Sequence, residues 1–181
     1  MYQTFAKIAK KFFSEATVFK VGFNLSPMYR RSTGRIIEVS EDLLNVKIKI
    51  PLSYKNSNYV GTIFGGSLFS ATDPIYMVQL INILGNDYVV WDKSTEINYK
   101  RPAKKAAFAT FEFTNQEIVN IQERVAIEKE FDLIKELNIT GPNNEVLCEL
   151  KKVLYIADKA YFKEKRIKTR LSADKADSGN K

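Results

Sequence analysis

Residues 58–85 read Asn58-Tyr59-Val60-Gly61-Thr62-Ile63-Phe64-Gly65-Gly66-Ser67-Leu68-Phe69-Ser70-Ala71-Thr72-Asp73-Pro74-Ile75-Tyr76-Met77-Val78-Gln79-Leu80-Ile81-Asn82-Ile83-Leu84-Gly85. A polar loop leads into the Gly65-Gly66 pair, and an apolar run follows to Leu84, with Gly85 placed to cap it. A run of about twenty residues is too long for one strand. Crossing a membrane would carry Asp73, Pro74, Gln79 and Asn82 into lipid, so the cheaper reading is a buried helix. Pro74 cannot donate to the Ser70 carbonyl, which predicts a local kink there.

The neighbouring segments alternate with a period of two. In residues 43–50, Leu44, Val46, Ile48 and Ile50 interleave with Asn45, Lys47 and Lys49. Residues 35–39 form a second strand, with Ser40, Glu41 and Asp42 as the hairpin loop. Residues 52–62 are a polar loop. Beyond Gly85, strands are expected at 88–92, 95–100 and 106–114, the last carrying Ala107, Ala109, Phe111 and Phe113 on one face. A short helix over 115–125 follows. Residues 126–140 fit either helix or strand and are read as strand, because Thr140-Gly141-Pro142-Asn143-Asn144 is a turn before the alternating Val146, Cys148 and Leu150. Upstream, residues 3–20 read as an amphipathic helix on Phe5, Ile8, Phe12 and Ala16, ended by turn chemistry at Asn24 to Pro27. One central helix wrapped by one antiparallel sheet is an α+β architecture. The expected organisation is an N-terminal helix and connector over 1–30, the main domain over 31–158 and a basic, flexible tail over 159–181, with Ser172 to Lys181 disordered.

Composition bounds the chemistry. The chain has 181 residues, no histidine and one cysteine. That excludes Ser-His-Asp and Cys-His pairs, His-ligated zinc and an internal disulfide. The net charge of +7 is uneven: residues 1–31 carry +5, residues 32–150 carry −4, and residues 151–181 carry +6. An acidic centre disfavours a nucleic-acid-reading surface, so no specific nucleic acid is expected. The basic ends leave weak contact with an anionic membrane open. No targeting segment is visible, and a soluble, cytoplasmic protein is expected. No βαβ alternation or Gly-rich phosphate fingerprint is present.

The stretch Asn58, Gly61, Gly65-Gly66 and Asp73 resembles the hotdog-fold acyl-CoA thioesterases, in particular the phenylacetyl-CoA thioesterase-like branch. Those carry Asn, Gly, then His-Gly-Gly, with an Asp nine residues after the His. With Tyr59-Val60-Gly61-Thr62, Asp73-Pro74 and Val90-Trp91-Asp92-Lys93 around it, the sequence is similar to a bacterial hotdog family of unknown function over roughly residues 22–157. Phe64 stands where the thioesterases carry histidine, so that side-chain donor is lost while the backbone amides remain. The resemblance implies a hotdog fold and hydrolysis of an acyl-CoA or related thioester. Asp73 would be general base or nucleophile, Gly65 and Gly66 the oxyanion donors, and Asn58 the positioning group. A non-catalytic acyl-CoA-binding protein is the alternative. No metal or redox cofactor is implied.

Helix N-terminal amides polarise a carbonyl because they are unpaired donors at the positive end of the dipole. At ~1.5 Å rise per residue, Asp73 lies roughly 12 Å along the axis from Gly65. One carbonyl cannot touch both in a single chain, so the motif predicts a homodimer or dimer of dimers. Helical spacing groups Asp73 with Phe69, Ser70, Tyr76, Met77 and Leu80 as a possible acyl-facing side, with Phe64 at its border, and turns Leu68, Ala71, Ile75 and Val78 to the sheet. Asp92 and Lys93 read as a surface pair. Lys100, Arg101, Lys104 and Lys105 around Pro102 read as a solvated hairpin end or, as in some hotdog enzymes, a clamp for coenzyme A phosphates. Cys148 reads as inert.

Overall fold

The structure is a computed structural model that describes residues 13–178. The first twelve residues of the chain, with most of the helix expected over 3–20, lie outside the described residues. Two helices come first among the described residues, α1 (Glu15–Leu25) and α2 (Pro27–Arg31). They are followed by strands β1 (Arg35–Val39) and β2 (Asn45–Ile50), helices α3 (Gly65–Thr72) and α4 (Ile75–Leu84), and strands β3 (Tyr88–Tyr99) and β4 (Ala107–Glu112). Helix α5 (Asn115–Glu128), strands β5 (Glu130–Thr140) and β6 (Val146–Asp158) and helix α6 (Lys159–Ser178) complete the order.

The six strands form one antiparallel sheet in the order β1-β2-β4-β5-β6-β3. Its inner face is set by the alternation. Val46, Ile48 and Ile50 of β2 are buried, as are Ala107, Ala109 and Phe111 of β4 with Phe113 just beyond it, and Leu150, Leu154 and Ile156 of β6. Leu68, Ala71, Ile75 and Leu80 of α3 and α4 join them in the core. The β4–β5 seam is short: only Phe108↔Thr140 and Ala109↔Ile139 pair, against eleven registered pairs between β5 and β6. A cleft of ≈ 320 Å³ opens beside the seam, lined by Tyr76, Glu112, Lys135 and Leu137 among others.

Four expectations are corrected. First, the central helix is two helices rather than one, broken at Asp73-Pro74. Pro74 removes a helix donor, and side chains take over the nearby carbonyls. The Thr72 hydroxyl donates to the Leu68 and Phe69 carbonyls at 3.2 and 2.9 Å, and the Tyr29 hydroxyl donates to Ala71 at 3.1 Å.

Second, the two strands expected at 88–92 and 95–100 are one strand, because the extra residue between them is absorbed in a bulge between Asp92 and Ser94. Third, the N-terminal helix runs through Asn24 to Leu25. The Asn24 carboxamide bonds both the carbonyl and the amide of Ile36, each at 2.9 Å, standing in for a strand partner on the β1 edge.

Fourth, the tail is helical to Ser178. Asp158 caps it by accepting from the Tyr161 amide at 2.8 Å, and its Lys, Arg, Glu and Ala residues are good helix formers. Helix α5 outruns its expected end by three residues and carries a full capping box between Thr114 and Glu117.

Candidate functional site

The loop before α3 is held by asparagines. Asn56 is buried: its carboxamide nitrogen donates to the Thr33 hydroxyl at 2.8 Å and the Pro51 carbonyl at 2.9 Å, and its oxygen accepts from the Ser53 amide at 2.8 Å. Its backbone carbonyl accepts from the Phe64 amide at 2.8 Å. Asn58, singled out as a positioning residue, braces the loop. Its side-chain oxygen accepts from the Val60 and Thr62 amides at 3.1 and 3.0 Å, and its nitrogen donates to the Thr62 hydroxyl at 2.9 Å. Gly61 sits at φ 75°, where a side chain would be strained.

The loop delivers α3 with Phe64 at its N-cap and no side-chain cap. Among the described residues, no acceptor pairs with the amides of Gly65 or Gly66. Access to them is narrow. A Cβ on Gly65 would lie 2.8 Å from the Tyr99 hydroxyl, and one on Gly66 would lie 2.3 Å from the Phe64 ring. Tyr99 therefore stands over the helix N-terminus, and the sequence reading missed it. Burial pushes its phenol up, so it is protonated, and a donor, at neutral pH. Phe64 itself is largely exposed.

At the far end of α3, Asp73 meets Lys152 of β6. The Lys152 Nζ donates to the Asp73 carbonyl at 2.6 Å and lies 3.5 Å from Asp73 Oδ1 and 3.1 Å from Asp92 Oδ1. The Lys152 side chain is 0% exposed, that of Asp92 17% and that of Asp73 46%. Asp92 Oδ1 is buried and accepts no well-directed hydrogen bond, the ammonium lying off line at 3.1 Å. Burial pushes the Asp92 carboxyl up, the Lys152 charge opposes that, and Asp73 adds to the rise.

Asp92 and Lys93 are therefore no surface pair. Asp92 points inward in step with Val90, opposite the buried Leu154 of β6, and Lys93, which the bulge after Asp92 absorbs, pairs on the opposite face with Asp132 at 2.5 Å. Lys152 was legible in principle, because the alternation Cys148, Leu150, Lys152, Leu154, Ile156 puts a lysine on an apolar face.

The expected acyl-facing side is only partly assembled. Phe69 is half-buried and Ser70 exposed. Tyr76 and Leu80 are buried, and Tyr76 packs edge-on against Phe111 and Phe113 at centroid distances of 4.9 and 5.2 Å. Burial recurs at Leu68, Ala71, Thr72, Ile75, Tyr76, Gln79 and Leu80, so the core stripe runs on past Pro74 and takes Tyr76 and Leu80 to the core side.

The basic turn lies near the helix start, since the Ile63 amide donates to the Ala103 carbonyl at 3.0 Å. Arg101, Lys104 and Lys105 are exposed there and border a cleft of ≈ 320 Å³ shared with the Gly141–Glu145 hairpin. Cys148 is buried, and burial pushes its thiol up to about 11. Among the described residues, no three His, Cys, Asp or Glu side chains gather as a metal site, and no helix is long and apolar enough to cross a membrane.

One antiparallel sheet packed on a glycine-initiated central helix broken at Pro74 is the hotdog fold. The chain belongs to the family described as Domain of unknown function (DUF4442), whose model matches residues 11–156. It is similar to a Pseudomonas aeruginosa protein of unknown function described as a probable thioesterase, with 18% identity, a TM-score of 0.64 and coverage of 71% of this chain and 85% of that one. It is also similar to a Haemophilus influenzae thioesterase, at 13% identity and a TM-score of 0.58, covering 79% of this chain and 90% of that one. A third similar structure, from Chlorobaculum tepidum and of unknown function, has 18% identity, a TM-score of 0.61 and coverage of 87% and 96%. At these identities the likeness establishes the fold. A comparison with curated proteins finds no match.

Proposed function

We propose that this protein hydrolyses acyl-CoA thioesters at a site shared by two copies of the chain. The observation that carries the reading is the pair of unpartnered amides at Gly65 and Gly66, with a half-exposed carboxylate, Asp73, at the other end of the same short helix. The amides receive the thioester carbonyl oxygen and stabilise the oxyanion as water attacks. Asp73 of the second copy takes the proton from that water. Collapse of the intermediate breaks the C–S bond, Asp73 returns the proton to the departing sulfur, and a carboxylic acid and the coenzyme A thiol are released.

The Tyr99 hydroxyl, over Gly65, supplies a side-chain donor where Phe64 supplies none. Phe64, Phe69 and Ser70 border the acyl group, and Arg101 and Lys104 face the coenzyme A phosphates. Dimerisation is supported by β3, an edge strand of 12 residues that ends in Tyr99 and leaves one side unpaired.

The test is thiol release from a panel of acyl-CoAs. Asp73→Asn abolishes release while light scattering still reports the dimer. Release that survives Asp73→Asn removes the catalytic assignment. Phe64 favours a second reading, acyl-CoA binding without hydrolysis. Saturable binding with no thiol released selects it.

A further inference from the structure

Lysine is among the residues least often buried without partners, and an ammonium withdrawn from water must be answered by opposite charge. The inner face of the sheet carries two lysines side by side, Lys135 of β5 and Lys152 of β6, in direct register. Lys135 is answered by Glu117 of α5 at 2.7 Å and lies over the Tyr76 and Phe113 rings. Lys152 is more deeply buried and is answered by three oxygens from two other elements: the Asp73 carbonyl, the Asp73 carboxylate and the Asp92 carboxylate. One ammonium between two carboxylates leaves the group one negative charge in excess.

A lysine that only capped the end of α3 would need the Asp73 carbonyl alone. The contact with Asp73 Oδ1 goes further. The backbone bond at 2.6 Å fixes where the helix ends, and the same ammonium draws one side-chain oxygen inward, while 46% of the Asp73 side chain stays open to solvent. Alternation from Val90 turns Asp92 to the third position, opposite Leu154 and just before the β3 bulge. These contacts come from the helix break and from two charged side chains, Asp92 and Lys152, on the inward face of β3 and β6, and together they meet at one atom.

We infer that Lys152 is a positioning residue of the Asp73 site, coupling Asp73 to Asp92 and setting the direction of the Asp73 carboxylate. The catalytic part of this inference rests on the thioesterase reading above. The coupling of the three side chains does not. Lys152 keeps a negative charge on the site surface next to a buried positive one, an arrangement suited to a base that must take a proton from water and return it.

The test uses the full-length protein and two readouts. The first is kcat and KM for thiol release from acyl-CoA. Lys152→Met loses about tenfold or more in kcat with KM little changed, the pattern of a displaced base. A folded Lys152→Met protein with unchanged kcat overturns the positioning role.

The second readout is the NMR titration of the Asp92 side-chain carboxyl carbon, which needs no activity. The groups facing that carboxyl are Lys152 from β6 and Asp73 from the helix break. Its midpoint moves up in Lys152→Met, which loses the opposing ammonium, and down in Asp73→Asn, which loses the neighbouring negative charge. If Lys152→Met fails to fold, Asp73→Asn still decides the coupling. An Asp92 midpoint that Asp73→Asn leaves in place overturns it. A wild-type protein that releases no thiol while its Asp92 midpoint shifts as stated refutes the thioesterase reading and leaves the coupling standing.

Discussion

The Tyr29 hydroxyl donates to the Ala71 carbonyl at 3.1 Å, joining the N-terminal helices to the last turn of α3. Tyr29 is completely buried, and burial pushes its phenol far up, so it acts only as a neutral hydrogen-bonding group. Its ring is also in use, since Phe23 and Tyr29 pack in a T at a centroid distance of 5.1 Å. Tyr29→Phe keeps that packing and orphans a carbonyl. The expected cost is about 1–2 kcal/mol, read as a Tm lowered by roughly 2–8 °C. Gly34→Ala acts on the same contact, because its Cβ would lie 2.9 Å from both the Tyr29 hydroxyl and the Ala71 Cβ.

Gly65→Ala separates folding from function. The atom that a Cβ would meet is the end of the exposed Tyr99 side chain, which can swing away. Alanine also suits a helix better than glycine. Tm therefore stays within about 3 °C of the parent, while kcat/KM for thiol release drops by about tenfold or more as the methyl group covers the amides. Tyr99→Phe lowers kcat for the same step and leaves the fold intact.

Phe64→His gives the opposite change. The Phe64 side chain is 58% exposed, so an imidazole fits without a cavity or an overpacked core. It restores a side-chain donor at the helix start, and thiol release rises by about tenfold or more. No rise in a folded variant would mean that the carbonyl does not bind at this helix terminus.

The acid limb of stability has a named contributor. Burial works to raise the Glu117 carboxyl, but hydrogen bonds from Lys135 and the Thr114 amide outweigh it and hold the carboxyl below the usual range. A folded value below the unfolded one means that Glu117 stabilises the protein fully above about pH 4.3, and that this contribution is lost as pH falls further. Glu117→Gln flattens the pH dependence of urea midpoints in that range. Thr114→Ala removes the partner cap and costs about 1 kcal/mol. Asp92, raised in the fold, has the opposite sign: its contribution declines as pH rises from the unfolded carboxylate value through the folded one.

The periodic parts of the chain were legible because burial on one face leaves a direct trace in residue order. Val46, Ile48 and Ile50, and the alanine–phenylalanine face of β4, are inward as their alternation predicted. Pro74 announced a disturbance, but its depth depended on Thr72, Tyr29 and Lys152 supplying donors from elsewhere. Asp92 reads as a surface residue by its charge, although alternation with Val90 points it inward; what alternation does not reveal is the bulge at Lys93, which brings Thr95, Ile97 and Tyr99 opposite the inward residues of β6. Asn56 and Asn58 differ by two positions in an aperiodic loop, and only the folded chain distinguishes the buried brace from the outer one. The helical tail was misread because a segment without a core stripe resembles a disordered one, although its residues favour helix.

The short β4–β5 seam divides the sheet into two three-stranded leaves, β1-β2-β4 and β5-β6-β3, hinged at Phe108↔Thr140 and Ala109↔Ile139. The leaves are unequal in content. One ends in the strand braced by Asn24, and the other holds Lys152, Asp92 and Tyr99. Thermal motion that parts them leaves the contact between Lys152 and Asp92 in place, because both residues belong to the second leaf. Within residues 110–112 and 135–138, the amides that point into the seam should exchange with deuterium ahead of those bonded to β2 or β6.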